Sequence, residues 1–221
     1  MSRLSVLDIT TQISSTVNQE ATPPLVGSAE YTLWLSYLNR SLDEWANSHD
    51  WEELRIILQT STTGVSQATV TMPLNFRRIA APPIVDGDRI EEVDDETVPY
   101  KLAEEAYFRV MGNPASRFSL VFNPVLSSGA SIVVEYYSFP SYLASTTDVS
   151  QISDPQFLVD RTIAYIFESR SDARFQTAEV KSRERLVKMI EDANTRKYNS
   201  YAGSAPMQTT ENRMNFRWGR D

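Results

Sequence analysis

Residues 154–198 place the strongest constraint on the fold, because they contain the two most regular helical patterns in the chain. Asp154 can accept hydrogen bonds from the first free backbone N–H groups of a helix, and Pro155 suits the first helical position, where a missing N–H costs nothing. Apolar side chains then recur at spacings of three and four, at Leu158, Val159, Thr162, Ile163, Ile166 and Phe167. Because Ala164 and Tyr165 fill much of the remaining circumference, the pattern predicts a helix that is buried on most sides.

A second helix is predicted after the polar residues 169–172. Its apolar stripe consists of Phe175, Ala178, Ser182, Leu186, Met189 and Ala193. The opposite face is charged and carries Glu179, Lys181, Arg183, Glu184, Lys188 and Glu191. This division predicts a helix that packs on one side and is solvated on the other.

The first 54 residues predict two more helices. Residues 4–17 have loosely helical apolar spacing but many Ser and Thr residues, which have poor helix propensity. Residues 30–46 give the best amphipathic pattern of this half, with a stripe of Leu33, Trp34, Tyr37, Leu38, Leu42 and Trp45. His49 follows in a predicted turn, where we interpret it as a capping residue, since no Ser, Cys or metal-ligand partner is evident for catalysis.

Residues 60–137 change to a period of two, which is typical of strands. The alternating side chains are Ala68, Val70, Met72, Phe118, Leu120, Phe122, Ile132, Val134 and Tyr136. The predicted fold class is α+β: mainly a helical bundle, with an inserted small antiparallel β-sheet or sandwich and an extended C-terminal tail. The predicted parts are an N-terminal helical part (1–54), the inserted β region (55–150), a helix pair that completes the bundle (151–199) and the tail (200–221).

Composition disfavours several classes of function. With 29 acidic and 21 basic residues the net charge is −8, which disfavours a protein that wraps nucleic-acid phosphates. The chain has no cysteine and one histidine, so neither thiolate chemistry nor a histidine-based metal site is expected. The first residues lack an apolar run of signal-peptide length, and no stretch approaches the ~18 apolar residues of a membrane span. We expect a soluble protein without a signal peptide.

Residues 86–105 carry most of the excess negative charge, with nine acids and two bases giving about −7. A solvated loop is one interpretation. A calcium loop fits poorly, because Ile90 occupies the fifth position and Gly87 lies in the wrong place. Paired carboxylates also suggest a hydrolase, but no aromatic cleft, phosphate-binding glycine loop or nucleophile elbow accompanies them. The sequence therefore predicts no enzyme and no cofactor.

Residues 200–221 change character again. Gly203 and Pro206 end the helical pattern, and apolar side chains then alternate with arginines. The side chains concerned are Met207, Arg213, Met214, Phe216, Arg217, Trp218 and Arg220. A segment of this kind cannot bury these side chains against itself, so we predict that it docks on a partner and gains backbone hydrogen bonds there.

Three stretches in this order resemble the head-to-tail adaptor proteins of tailed bacteriophages, also called connector, tail tubular or gateway proteins, especially those of short-tailed phages. They are TLWLSYLNRSLDEWANSHDWEELR, VTMPLNFRRIAAPPIV and IVVEYYSFPSYL, and a capped helix pair follows them. The resemblance covers residues 32–198, and residues 1–24 match only weakly.

The resemblance implies a ring of about twelve copies beneath the portal vertex of the capsid. The helical bundle would build the ring wall, the C-terminal residues Met207 to Arg220 named above would dock on the portal protein, and the β region would face a tail tube or nozzle protein. Double-stranded DNA would pass without specific binding, and no membrane would be involved. The location would be the neck or tail of the virion, after synthesis in the host cytoplasm.

In such a ring the acidic side chains could line the channel and repel the DNA backbone. The candidates are Asp86, Asp88, Glu91, Glu92, Asp94, Asp95 and Glu96. Two alternatives stay open: another neck or tail-tube protein of a phage, or an oligomeric scaffold unrelated to phages.

Overall fold

The computed structural model describes residues 3–62, 67–93 and 106–202, with side chains described as far as Arg196. The helices are α1 (Val6–Val17), α2 (Ala29–Ser48), α3 (Gln156–Ser169) and α4 (Phe175–Ala202), and a short 3-10 helix covers Glu52–Leu54. The strands are β1 (Arg55–Ser61), β2 (Gln67–Thr71), β3 (Phe76–Val85), β4 (Asp88–Arg89), β5 (Glu91–Glu92), β6 (Tyr107–Asn113), β7 (Arg117–Leu126) and β8 (Ser131–Ser138). Two helices therefore precede the strands and two follow them.

The first helix forms in spite of its Ser and Thr content. A capping box fixes its start, because the Ser5 hydroxyl accepts from the Asp8 backbone N–H while the Asp8 carboxylate accepts from the Ser5 backbone N–H. Further along, the Thr10 and Thr11 hydroxyls donate to backbone carbonyls one turn earlier, at 2.9 and 2.7 Å. The buried stripe includes Val6, Ile9, Ile13 and Val17. The predicted N-terminal helix is thus confirmed.

Ser28 caps the start of helix α2, and its hydroxyl accepts from the Tyr31 backbone N–H. Its buried face contains Tyr31, Trp34, Leu38, Leu42 and Trp45, which confirms most of the predicted stripe. Leu33 is the exception, since its side chain is exposed.

The strands form a sandwich of two four-stranded sheets. The first sheet has the order β1-β8-β3-β4 and the second β2-β7-β6-β5. All neighbours are antiparallel except β5 and β6, which run parallel. The buried side chains between the sheets include Val70, Met72, Phe76, Phe108, Leu120, Phe122, Ile132, Val134 and Tyr136. The alternating pattern therefore predicted the inward face of β2, β7 and β8.

The predicted fold class is wrong, because the protein is α+β without being mainly a helical bundle. It is 40% helical and 30% strand, and the sandwich has a core of its own. Glycine and proline are typical of the turns between strands, yet Gly112 lies within β6 and Pro124 within β7. Pro82 and Pro83 lie within β3, where its register against β8 shifts. An irregularity of this kind tolerates proline, because it leaves a position without a ladder hydrogen bond.

The four helices enclose a second core, centred on α3. Every side chain from Phe157 to Phe167 is buried, which confirms the predicted burial, and other elements of the same chain cover it. The helix begins at Gln156, later than predicted, although the Asp154 carboxylate still accepts from the Gln156 backbone N–H at 3.2 Å. The return segment 139–155 also packs here, since Asn39 exchanges two hydrogen bonds with the Leu143 backbone, at 2.8 and 2.9 Å.

Helix α4 has 28 residues and is about 42 Å long. As predicted, Ser182 and Met189 are buried, and Phe175, Ala178, Leu186 and Ala193 pack against the helical core. The helix ends at Ala202 rather than at the predicted boundary near residue 199.

Candidate functional site

The acidic run begins in a tight turn that gives Asp86 a structural role. Asp86 and Gly87 join β3 to β4, with φ angles of 51° and 100°. The Asp86 carboxylate accepts from the Ser131 backbone N–H at 2.8 Å, and the Asp86 backbone N–H donates to the Ser131 carbonyl at 2.9 Å. Asp86 therefore ties the turn to β8.

The other described acids of this run, Asp88, Glu91 and Glu92, lie exposed on β4 and β5. These two strands are edge strands, one of each sheet. Charged side chains on short edge strands oppose pairing with another sheet. Asp94, Asp95 and Glu96, like Glu104 and Glu105, fall outside the described residues.

The predicted portal-docking side chains also fall outside the described residues. They are Met207, Arg213, Met214, Phe216, Arg217, Trp218 and Arg220. Their role stays a prediction.

Helix α3 carries two adjacent charged residues that are both buried, which its apolar pattern did not predict. Asp160 is 3% exposed and Arg161 is 8% exposed. Asp160 accepts from Lys181 Nζ at 2.9 Å and from Arg185 Nε at 2.8 Å, and Arg185 also contacts Asp154 at 2.9 Å. These ion pairs fix the register of α4 along α3.

Arg161 joins α2 and α4 to the other flank of α3. Its Nε donates to Glu44 at 2.6 Å, its Nη1 donates to Glu179, and the Tyr165 hydroxyl donates to the same Glu44 oxygen at 2.8 Å. Burial lowers the pKa of Arg161, but the hydrogen bond and charge of Glu44, together with the nearby Tyr165 and Glu179, outweigh it and raise the pKa above its ordinary value. We call these two clusters, centred on Asp160 and Arg161, the α3 ionic network.

One sequence signal could have revealed this network: two adjacent charges interrupt an otherwise apolar helix. A helix buried on most sides must also bury charges in its middle, and buried charges need partners. The sequence does not identify the partners, because Glu44 lies 117 residues from Arg161.

A cleft of about 1030 Å³ lies between α4 and the outer face of the first sheet. Its apolar lining consists of Trp51, Ala80, Ala81, Tyr137, Met189 and Ala193. Charged side chains of both signs surround them, including Arg89, Glu184, Lys188, Asp192 and Arg196. Most of the residues that line the cleft are charged, so the cleft is a predominantly polar surface with a few apolar side chains.

His49 lines the end of the cleft that is nearest to the C-terminus of α2. It is the C-cap residue of that helix, as the predicted turn suggested, and its ring packs edge-on against Trp51 at 5.1 Å between centroids. Trp51 in turn donates from Nε1 to the Trp45 carbonyl at 2.6 Å and stacks on the Trp45 ring. These contacts hold the chain where it passes from α2 to β1.

The described residues contain neither a metal-binding cluster nor a membrane-spanning helix. No group of three or more His, Cys, Asp or Glu side chains there is arranged to hold a metal ion. In the same part of the chain, no helix combines the length and the apolar character needed to cross a membrane.

No protein-family model matches this sequence, and no curated protein matches it significantly.

Proposed function

We propose that this protein is a structural subunit of a ring that joins the portal vertex of a phage capsid to the tail. The observation that carries the proposal is its construction from two separate hydrophobic cores. The helices enclose one core, and the sandwich inserted between α2 and α3 encloses the other. An adaptor must present different surfaces to two partners, and this construction supplies them.

The α3 ionic network supports a mechanical role for the helical part. It connects α2, α3 and α4 through Glu44, Arg161 and Glu179, while Asp160 anchors Lys181 and Arg185. Removing one partner of a buried ion pair is costly, so helices joined in this way resist displacement. Such resistance suits a ring wall through which DNA passes.

The exposed acids of β4 and β5 support a channel that does not bind DNA. Asp88 and Glu92 extend from edge strands with exposed side chains, and carboxylates repel phosphates. Changing both to lysine should slow DNA exit from assembled particles at low salt, and high salt should remove the difference. Equal exit rates at low salt would contradict a channel position for these two residues.

The C-terminal residues would bind the portal protein, as the resemblance implies. A chain truncated after residue 206 should keep the unfolding temperature of the full chain but lose capture by the purified portal ring. Replacing Arg213, Arg217 and Arg220 by lysine preserves the charge but removes bidentate hydrogen bonds. This variant therefore separates the contribution of the charge from that of the bidentate contacts. Undiminished capture of the truncated chain would refute this assignment.

The ring itself is tested by native mass spectrometry and negative-stain imaging of the full chain over a range of concentrations. The expected particle is a closed ring of about twelve copies with a central channel. Stacked tubes would instead favour a tail-tube protein. A chain that stays monomeric at every concentration, with and without portal, would contradict the proposal.

A further inference from the structure

Strand β1 is an edge of the first sheet, and its outer side has no partner among the described residues. Thr62, which continues the strand, donates from its backbone N–H to the Ala130 carbonyl on the β8 side at 3.1 Å. Because backbone groups point to alternate sides along a strand, the N–H and carbonyl groups of Ile57, Gln59 and Ser61 point away from β8. Within the described ranges no hydrogen bond reaches these outward groups.

The other three sheet edges are protected against pairing with another strand. β4 and β5 have two residues each and carry charged side chains. The register of β2 against β7 shifts between Gln67 and Thr69, and such an irregularity twists an edge strand away from an incoming one. β1 has seven residues, no proline and a continuous register along β8. It is therefore the one long, regular edge strand in the described part of the sheets.

The sandwich core ends at β1 without a cover. The inward side chains of β1 are half-buried, whereas the residues opposite them on β8 are buried. Leu58, for example, lies opposite Val134, which is completely buried. On the outer face, Ile57 is 59% exposed and is the most exposed large apolar side chain of the described strands. A strand added to β1 would cover apolar surface on both faces of the sheet.

We propose that β1 of one copy pairs with β1 of a second copy, antiparallel and about a two-fold axis at Leu58. This register pairs the whole strand, with Ile57 of one copy opposite Gln59 of the other. The outward N–H groups of each strand then meet the outward carbonyls of its partner. Like charges are not opposed, because Arg55, the one charged residue of β1, lies opposite Ser61. Two four-stranded sheets thereby join into one continuous sheet.

The backbone and the other strands identify a second β1 as the occupant. Alternating N–H and carbonyl groups along an edge are matched by an extended chain. Among the described strands, β1 alone combines a free edge with seven residues and an unbroken register. The inference goes beyond the proposed ring and does not rest on it, because a two-fold contact joins two copies whether each is single or part of a ring.

Gln59→Pro in the full chain tests the backbone pairing. It removes the outward N–H of Gln59, which the β8 ladder does not use, and edge strands tolerate proline at such positions. Gln59→Ala is the matched control, because it keeps the N–H. Sedimentation velocity over a range of concentrations should show two-fold association of the unaltered chain and of Gln59→Ala. Gln59→Pro should associate at least about 10-fold more weakly, since the two-fold axis repeats each lost hydrogen bond.

Ile57→Lys tests the same edge without removing a backbone donor. Lysine on an edge strand opposes pairing, so this variant should also associate at least about 10-fold more weakly. Val125→Lys is its control, because Val125 is 52% exposed and lies on β7, an interior strand of the second sheet. Melting curves establish that each variant is folded, and Ile57→Lys carries the test if the proline variant does not fold.

Single cysteines test the register. The chain has no cysteine, so an introduced thiol can form a disulfide only with its counterpart in another copy. Leu58→Cys places two thiols opposite each other at the proposed axis, where Cα atoms lie about 4.5 Å apart, within the range of a disulfide. Thr60→Cys lies on the same face but about 13 Å along the strand from its counterpart. Oxidation should therefore cross-link Leu58→Cys and leave Thr60→Cys uncross-linked.

Three results would overturn this interface. They are an unaltered chain without two-fold association at any concentration, equal association of the unaltered chain and both edge variants, and cross-linking of Thr60→Cys in preference to Leu58→Cys. If the chain forms the proposed ring, the pairing joins two rings, and Gln59→Pro should release single ones. Single rings of the unaltered chain would thus contradict the β1 pairing and leave the proposed function intact.

Discussion

The helical core and the sandwich core are stabilised in different ways. The helical core contains the α3 ionic network, with Asp160 and Arg161 both under one-tenth exposed. The described part of the sandwich core is built from apolar side chains, and its buried polar groups there are hydroxyls such as those of Thr62 and Ser138. Strands are aligned by their backbone ladders, whereas a helix satisfies its own backbone and needs side chains to fix its register.

The largest expected effect concerns the apolar core of the sandwich. Phe108 is completely buried and its ring lies 6.1 Å from that of Phe122. Phe108→Ala should lower the free energy of unfolding by about 3 to 5 kcal/mol, because it removes the ring and leaves a cavity. Urea unfolding measures the loss. Met111→Ala on the same strand, at a side chain 51% exposed, should cost less than about 0.5 kcal/mol.

The second-largest effect concerns the α3 ionic network in the helical core. Arg161→Met should lower the free energy of unfolding by about 2 to 3 kcal/mol. This is less than a fully buried pair would lose, because the Glu44 side chain is 33% exposed and can be partly rehydrated. Combining Arg161→Met with Glu44→Gln should recover part of the loss, as contacting partners are not additive. Strict additivity in urea unfolding would contradict coupling between these two residues.

A smaller effect concerns the hydroxyl of Tyr165. Tyr165→Phe should cost about 1 kcal/mol near neutral pH by removing the hydrogen bond to Glu44. Burial and that hydrogen bond raise the pKa of Tyr165 above its ordinary value, so the folded state favours the protonated phenol. Its stabilising contribution is present below pH ~10 and is lost as the pH rises through the folded-state pKa.

The phenylalanine variant should therefore lose less stability between roughly pH 9 and 11 than the unaltered chain does. Urea unfolding across this range provides the measurement. Tyr142→Phe is the comparison: its hydrogen bond to Asp43 also raises the pKa of Tyr142, but the side chain is exposed, so its removal should change the pH profile less. Parallel pH profiles for the Tyr165 variant and the unaltered chain would contradict this coupling.

Local sequence patterns predicted much of the helical part. Ser28 and the stripe from Trp34 to Trp45 identified α2, and the stripe from Phe175 to Ala193 identified α4. The size of the sandwich was missed because glycine and proline are typical of turns, whereas Gly112 lies within β6 and Pro124 within β7. The cleft could not be predicted, since it depends on how distant segments pack.

The sequence by itself determined which faces of the helices and strands are apolar, which residue caps α2, and that residues 86–96 are acidic. These properties depend on neighbours a few residues apart, through caps and periodic spacing. Only the tertiary structure decided that Asp160 and Arg161 are buried, which carboxylates and cations accompany them, and that a cleft opens between α4 and the first sheet. The physical reason is that burying a charge is favourable only beside its partner, and those partners come from other elements of the fold.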